Sequence, residues 1–265
     1  MFLPVTINDM KARGWDEVDF VLVTGDAYVD HPSFGTAIIS RYLESHGFKI
    51  AILSQPNWKN ADDFKRFGRP RLGFLINSGN VDSMVNHYSV TKHKRSRDVY
   101  SPGGRTGNRP DRAVIVYSNR AREAYKDVPV IIGGLEASLR RLGHYDYWDD
   151  KVRRSILLDS KADILIYGMG ERAVLEIAEA LDSGLEAKDI TWINGTCIKA
   201  KAADIQAQED DVVLPSFEDI STSKDAYCES FALQYRSNDA VAGKRLLEPN
   251  GNFYIIQNPP QPPLE

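Results

Sequence analysis

Five short apolar runs punctuate the first two thirds of this chain: FVLVTG (20–25), FKIAILSQ (48–55), RLGFLIN (71–77), VPVIIGG (128–134) and ADILIYGMG (162–170). Their residues are nearly all apolar instead of alternating with polar ones, which is the pattern of strands covered on both faces. Helical stretches lie between them. TAIISRYLESHG (36–47) stops at Gly47, and ERAVLEIAEALDSG (171–184) carries Val174, Leu175, Ala178 and Leu181 on one stripe before Gly184. PDRAVIVYSNRAREAY (110–125) could open as a strand, but its length and Asp111 as a cap favour a helix. Strand–helix alternation of this rhythm predicts an α/β fold with a doubly wound, mainly parallel sheet.

With 42% hydrophobic residues over 265 positions, the chain can bury one large core, or one core plus an appendage. A net charge of −4 argues against a dedicated nucleic-acid binder, which is usually basic. MFLPVTINDM lacks a basic segment followed by an apolar one, and no apolar run reaches membrane-spanning length. The expectation is a cytoplasmic protein with no membrane partner. The two cysteines, Cys197 and Cys228, stand far apart in sequence, which speaks against a disulfide scaffold and against a multi-cysteine metal site made by this chain alone.

Two regions break the rhythm. NHYSVTKHKRSRDVYSPGGRTGNRPDR (86–112) is too long for an ordinary connection, and such loops are usually functional or disordered. It carries Lys92, Lys94, Arg95, Arg97, Arg105, Arg109 and Arg112 against Asp98 and Asp111, so it reads as a solvated basic loop or as a contact for an anion or RNA. The second break comes late. TWINGTCIKA (191–200) reads as a strand, AQEDDVVLPSFED (207–219) as an acidic loop, STSKDAYCESFALQYRS (221–237) as a helix, and FYIIQ (253–257) as a strand before a proline-rich end. The predicted organisation is a Rossmann-like unit over 1–188 with a basic insertion at about 87–112, then an extension and linker over 189–265.

Each apolar run ends in small or polar residues: TGD, SQPN, NSGN, GGLEAS and GMGE. Glycines there let a ligand approach the backbone, and the helix N-termini beyond them attract anions. Aligned at the carboxyl edge of a parallel sheet, these turns predict a ligand cleft. Its candidates are Asp26, Asp30, His31, Asn77, Gly133, Gly134, Glu136, Arg140, Gly168, Gly170 and Glu171. Neither GxGxxG nor GxxxxGK[ST] occurs, so no standard dinucleotide site or P-loop is supported.

Two stretches carry most of the polar candidates. In GDAYVDHPSFG (25–35), Pro32 could start a helix capped by Asp30 or His31, or His31 could act as a ligand or an acid/base group. The stretch resembles the DxHxxG signature of cobalamin-binding domains. However, Asp30 and His31 are adjacent and Gly35 lies one step too far from the histidine, so cobalt coordination through His31 is not expected. In GGLEASLRRLGHYDYWDD (133–150), Glu136, Arg140, Arg141, His144, Tyr145, Tyr147 and Trp148 could form a polar pocket with a stacking wall. Alternatively, the arginines pair with Asp146, Asp149 and Asp150 around a short helix.

Together, VDHPSFG, NSGNVDSMVNHY, SPGGR, RPDRAVIVYSN, IIGGLEASLRR, HYDYWDDKVRRSIL, SKADILIYGMGE and the closing QNPP resemble the N-terminal domain of YgiQ-type radical SAM proteins, over essentially the whole chain. The resemblance implies a flavodoxin- or cobalamin-binding-like sheet. It also implies, as partner in cis, a following radical SAM barrel whose CxxxCxxC motif ligates a [4Fe–4S] cluster that cleaves S-adenosylmethionine. No such motif occurs within this sequence, and three cluster thiolates cannot come from two cysteines, so the chain is expected to be inactive alone. The expected function is an accessory domain that covers the barrel or presents an unknown substrate to it. The insertion, deprived of that neighbour, is expected to be loosely packed. The competing reading is a stand-alone module binding a small anionic ligand, a cobalamin-like cofactor or RNA without catalysis.

Overall fold

The computed structural model describes residues 2–205 and 208–263. In chain order its first part contains α1 (Ile7–Ala12), β1 (Phe20–Thr24), α2 (Gly35–Ser45), β2 (Ile50–Ser54), β3 (Gly73–Asn77), α3 (Ser83–His87), α4 (Ala113–Ala124) and β4 (Val130–Ile132). There follow α5 (Gly134–Leu139), β5 (His144–Asp146), β6 (Lys151–Arg153), α6 (Ile156–Asp159), β7 (Ile164–Ile166) and α7 (Glu171–Asp182). The last part adds β8 (Thr196–Lys201), β9 (Val212–Val213), α8 (Phe217–Thr222), α9 (Lys224–Arg236), β10 (Leu246–Asn250) and β11 (Phe253–Gln257).

All five apolar runs become strands, and these pair in parallel in the order β2-β1-β3-β4-β7, the flavodoxin-like arrangement. The reason for their unbroken apolar character is visible in β1. Val21 and Val23 pack into one core with Tyr117 of α4 and Ala137 of α5, while Phe20 and Leu22 pack into a second with Leu43 of α2 and Ile177 of α7. A period-2 strand between two helix layers has no face left for polar side chains. Each such side chain fully buried contributes about 1.5–3 kcal/mol, which makes this central layer the main source of stability.

The extension continues the same sheet. β7 turns it antiparallel by pairing with β8, with Leu165 opposite Cys197, and β11, β10 and β9 follow outward to make nine strands. Residue 188 lies in the short turn Ala187–Asp189 that precedes this change of direction.

Several local expectations are corrected. The first helix after β1 begins at Gly35 with Phe34 as its cap position, not at Pro32, and no side chain caps it. Asp111 does not cap α4; Arg112 in the left-handed region (φ 51°) precedes that helix, and Asp111 binds His87 and Tyr88 instead. The late helix is two helices broken at Ser223, whose hydroxyl accepts the Ala226 N–H and so starts the second. The acidic loop contains β9 and the start of α8; its first residue, Ala207, lies outside the described residues.

Candidate ligand cleft at the carboxyl edge

The turns after β1, β3, β4 and β7 meet at one edge, and between α2 and α7 they leave a cleft of about 270 Å3. Asn77, Gly133, Gly134, Gly168, Gly170 and Glu171 line it, together with Thr36, Ile39, Asn80 and Val174, which sequence reasoning missed. These were legible only as one face of a helix or as a turn residue. At two glycines the backbone itself is selective: Gly134 has φ +79° and Gly168 φ +70°, where a side chain is strained. Asn77 fixes the floor, since its Oδ1 accepts the Thr24 hydroxyl (2.8 Å) and the Gly79 N–H (2.8 Å). Glu171, the first residue of α7, has a buried Oε2 with no hydrogen-bond partner.

Asp26, Asp30, His31, Glu136 and Arg140 share the edge but do not line this cleft. Asp26 belongs to a buried knot. Its Oδ1 lies 2.9 Å from Arg109 Nη1 and its Oδ2 accepts the Asn80 N–H at 2.7 Å. Arg109 also reaches Asp98 (3.1 Å) and donates to the Ser78 carbonyl (2.5 Å). Burial pushes Asp26 above the usual carboxylate range, against the pull of the Asn80 N–H and the Arg109 charge. At Asp98 burial is outweighed by the Tyr100 N–H and by Arg109, so its carboxyl is held low. A Cβ at Gly79 (φ +107°) would fall 2.0 Å from Asp26 Oδ1, so only glycine permits this approach. Asp30 pairs with Arg41 of α2, and His31 is exposed, with Nδ1 accepting the Ser33 N–H at 3.1 Å within its own turn.

The insertion is anchored at a few points, while residues 91–97 and 105–108 are exposed. Asp98, Ser101 and Arg109 are buried, and His87 Nδ1 meets Asp111 Oδ1 at 2.6 Å where the segment begins and ends. Arg109 and Arg112 are committed to carboxylates and Lys92 Nζ donates to the Trp148 carbonyl, whereas Lys94, Arg95, Arg97 and Arg105 are exposed.

Glu136 is fully buried beneath two helix starts, accepting the Ser83 N–H of α3 (2.9 Å) and the Val114 N–H of α4 (3.0 Å). Burial and the nearby Asp82 raise its pKa, while the Ser83 N–H and Arg140 oppose the rise. The positive ends of two helices suit a carboxylate there, which makes Glu136 a structural clamp. Arg140 pairs with Asp82, and Arg141 donates to Gln257 Oε1 (2.7 Å) and lies over the Tyr167 ring. The alternative pairing of these arginines with Asp146, Asp149 and Asp150 is not found among the described residues. Arg112 and Arg153 take Asp146 and Asp149, and Asp150 accepts the Tyr145 hydroxyl.

The stacking wall does form, as a second cleft of about 420 Å3 between the insertion and the β5–β6 hairpin. Tyr88 and Trp148 meet there with ring centroids 4.2 Å apart, and Lys92 lies over Tyr147 and Trp148. His144 lines it with Nδ1 3.1 Å from the Leu142 carbonyl; burial pushes its imidazole down to about 4, so the ring is neutral at pH 7.

The chain's residues do not fit a [4Fe–4S] cluster. Cys197 is buried within the sheet and Cys228 is exposed on α9, and a site-differentiated cluster needs three thiolates. Among the described residues no group of three or more histidine, cysteine or acidic side chains could hold a metal ion, and no helix is long and apolar enough to cross a membrane.

Fold and cleft define an α/β domain with a ligand-sized recess at its switch edge. Comparison gives the family: the chain matches the family described as Radical SAM N-terminal over residues 2–265, and it belongs to that family. A UPF0313 protein of Clostridium botulinum (strain ATCC 19397 / Type A) is 56% identical over 263 residues, covering 99% of this chain and 40% of the relative. A UPF0313 protein of Clostridium perfringens (strain SM101 / Type A) is likewise 56% identical, with 99% and 40% coverage. The chain thus spans about 40% of the length of the curated relatives it matches.

Proposed function

We propose that this chain is the accessory domain of a cytoplasmic radical SAM enzyme, and that its carboxyl edge covers a catalytic barrel carried by the same polypeptide and presents substrate to it. The observation that supports this reading is the apolar surface on that edge. Val85, Val90, Leu139, Tyr145 and Tyr147, which line the second cleft on connections that follow β3 or β4, are 48–80% exposed. Clustered exposed apolar side chains mark an interaction surface. The segment after β11 runs along the same edge: the Asn258 N–H donates to Thr196 O (2.9 Å) and the Gly195 N–H to Pro259 O (2.7 Å). In this reading residues 1–188 form the Rossmann-like unit, 189–265 lead toward the barrel, and the cluster and S-adenosylmethionine are held by the barrel.

Hydrogen exchange tests it. In a full-length family member, amides equivalent to 83–90 and 135–147 should exchange more slowly than in this chain alone. Equal exchange in both would remove the docking surface and the reading with it.

A further inference from the structure

The cleft between α2 and α7 is specific enough in its chemistry to name the kind of ligand it takes. One wall is the sheet face formed by Leu22, Leu75, Ile131 and Ile166, and the opposite wall carries Ile39 and Val174. An aliphatic slot of about 270 Å3 suits one flat ring system with a small substituent.

Its rim offers both hydrogen-bonding senses. Asn77 Oδ1 is fully used, whereas Nδ2 has a single long contact, 3.5 Å to Thr36 Oγ1, so that N–H donors remain for a ligand. Glu171, which lines the slot, contributes a carboxylate acceptor. Its position matters as much as its valence. The start of α7 would otherwise attract an anion, and Glu171 already places negative charge there. That charge disfavours phosphates and carboxylates in the slot.

We infer that this slot binds an uncharged, amino-substituted heteroaromatic ring of purine size, whose amino group donates to Glu171 while a ring acceptor takes an N–H of Asn77. This rests on the reading of the carboxyl edge as the substrate-facing edge, and adds the chemistry of the group held there.

Titration of the 265-residue chain with 2-aminopurine riboside, followed by the probe's own fluorescence, tests it. Saturable binding is expected. Purine riboside, which lacks the amino group, should compete at least about tenfold less well, and Glu171→Gln should weaken the probe by a similar factor, the scale of a lost hydrogen bond to a charged group. Val174→Phe, which fills the slot, should abolish binding with an unchanged circular dichroism spectrum. Inorganic phosphate should not compete. Absence of saturable binding, equal affinity in Glu171→Gln, or displacement by phosphate would each overturn the inference. Should Val174→Phe fail to fold, Glu171→Gln decides alone, because that side chain is partly exposed at a helix start. A slot that fails these tests while the edge stays protected in the full-length protein refutes the ligand and leaves the docking surface; the reverse result refutes docking.

Discussion

The parallel half and the extension bury their carboxylates against different partners. In the parallel half Asp26 faces the guanidinium of Arg109, and Glu136 sits under two helix N-termini. In the extension, Glu248 of β10 is fully buried and, among the described residues, accepts the Gly143 N–H alone, at 3.1 and 2.8 Å to its two oxygens. Burial pushes its carboxyl up to about 7, against that one N–H. Burial raises all three carboxyls; the Asn80 N–H and Arg109 oppose the rise at Asp26, and the Ser83 N–H and Arg140 at Glu136, whereas at Glu248 the Gly143 N–H is what opposes it.

Breaking the matched pair should have the largest effect. Arg109→Leu leaves Asp26 and Asp98 buried without their cation and should lower the unfolding free energy by about 3–5 kcal/mol. Urea denaturation measures this, and limited proteolysis should then cut the freed insertion; an unchanged midpoint would mean the knot is ornamental. The extension gives a smaller, pH-dependent effect. Glu248 has a folded pKa near 7 against an ordinary 4.5, so its contribution is fully present below about 4.5 and is lost as pH rises through about 7. Between those limits wild type should lose on the order of 3 kcal/mol relative to Glu248→Gln. Parallel pH dependences of the two proteins would show that Glu248 ionises freely. The smallest effect belongs to the exposed opening loop. His31→Ala should change stability by no more than about 0.5 kcal/mol, and hydroxocobalamin added to it should give the same spectrum as with wild type. A histidine-ligated spectrum that vanishes in the variant would restore His31 as a metal ligand.

The parallel strands were readable because each is apolar on both faces, a constraint that is local in sequence. The cleft was half readable for the same reason: Gly133, Gly134, Gly168 and Gly170 punctuate strand ends, but Ile39 and Val174 resemble any other core-facing helix residues until the helices are placed. Arg109 looked like one cation among many in a basic loop. Its burial depends on Asp26, which is distant in sequence, and no periodicity signals such a pairing.

What the sequence determined by itself was the parallel α/β layer, the edge at which its polar turns gather, and the shortage of cluster-binding thiols, since these follow from strand period, turn residues and a cysteine count. Tertiary structure alone decided which polar residues are scaffold and which stand at a cavity. Glu136 found N–H partners for both oxygens and became fixed, while Glu171, an equally acidic residue at the same edge, kept a buried oxygen with none. Hydrogen-bond satisfaction is a property of the assembled neighbourhood, because the group that satisfies a buried carboxylate can come from anywhere in the chain.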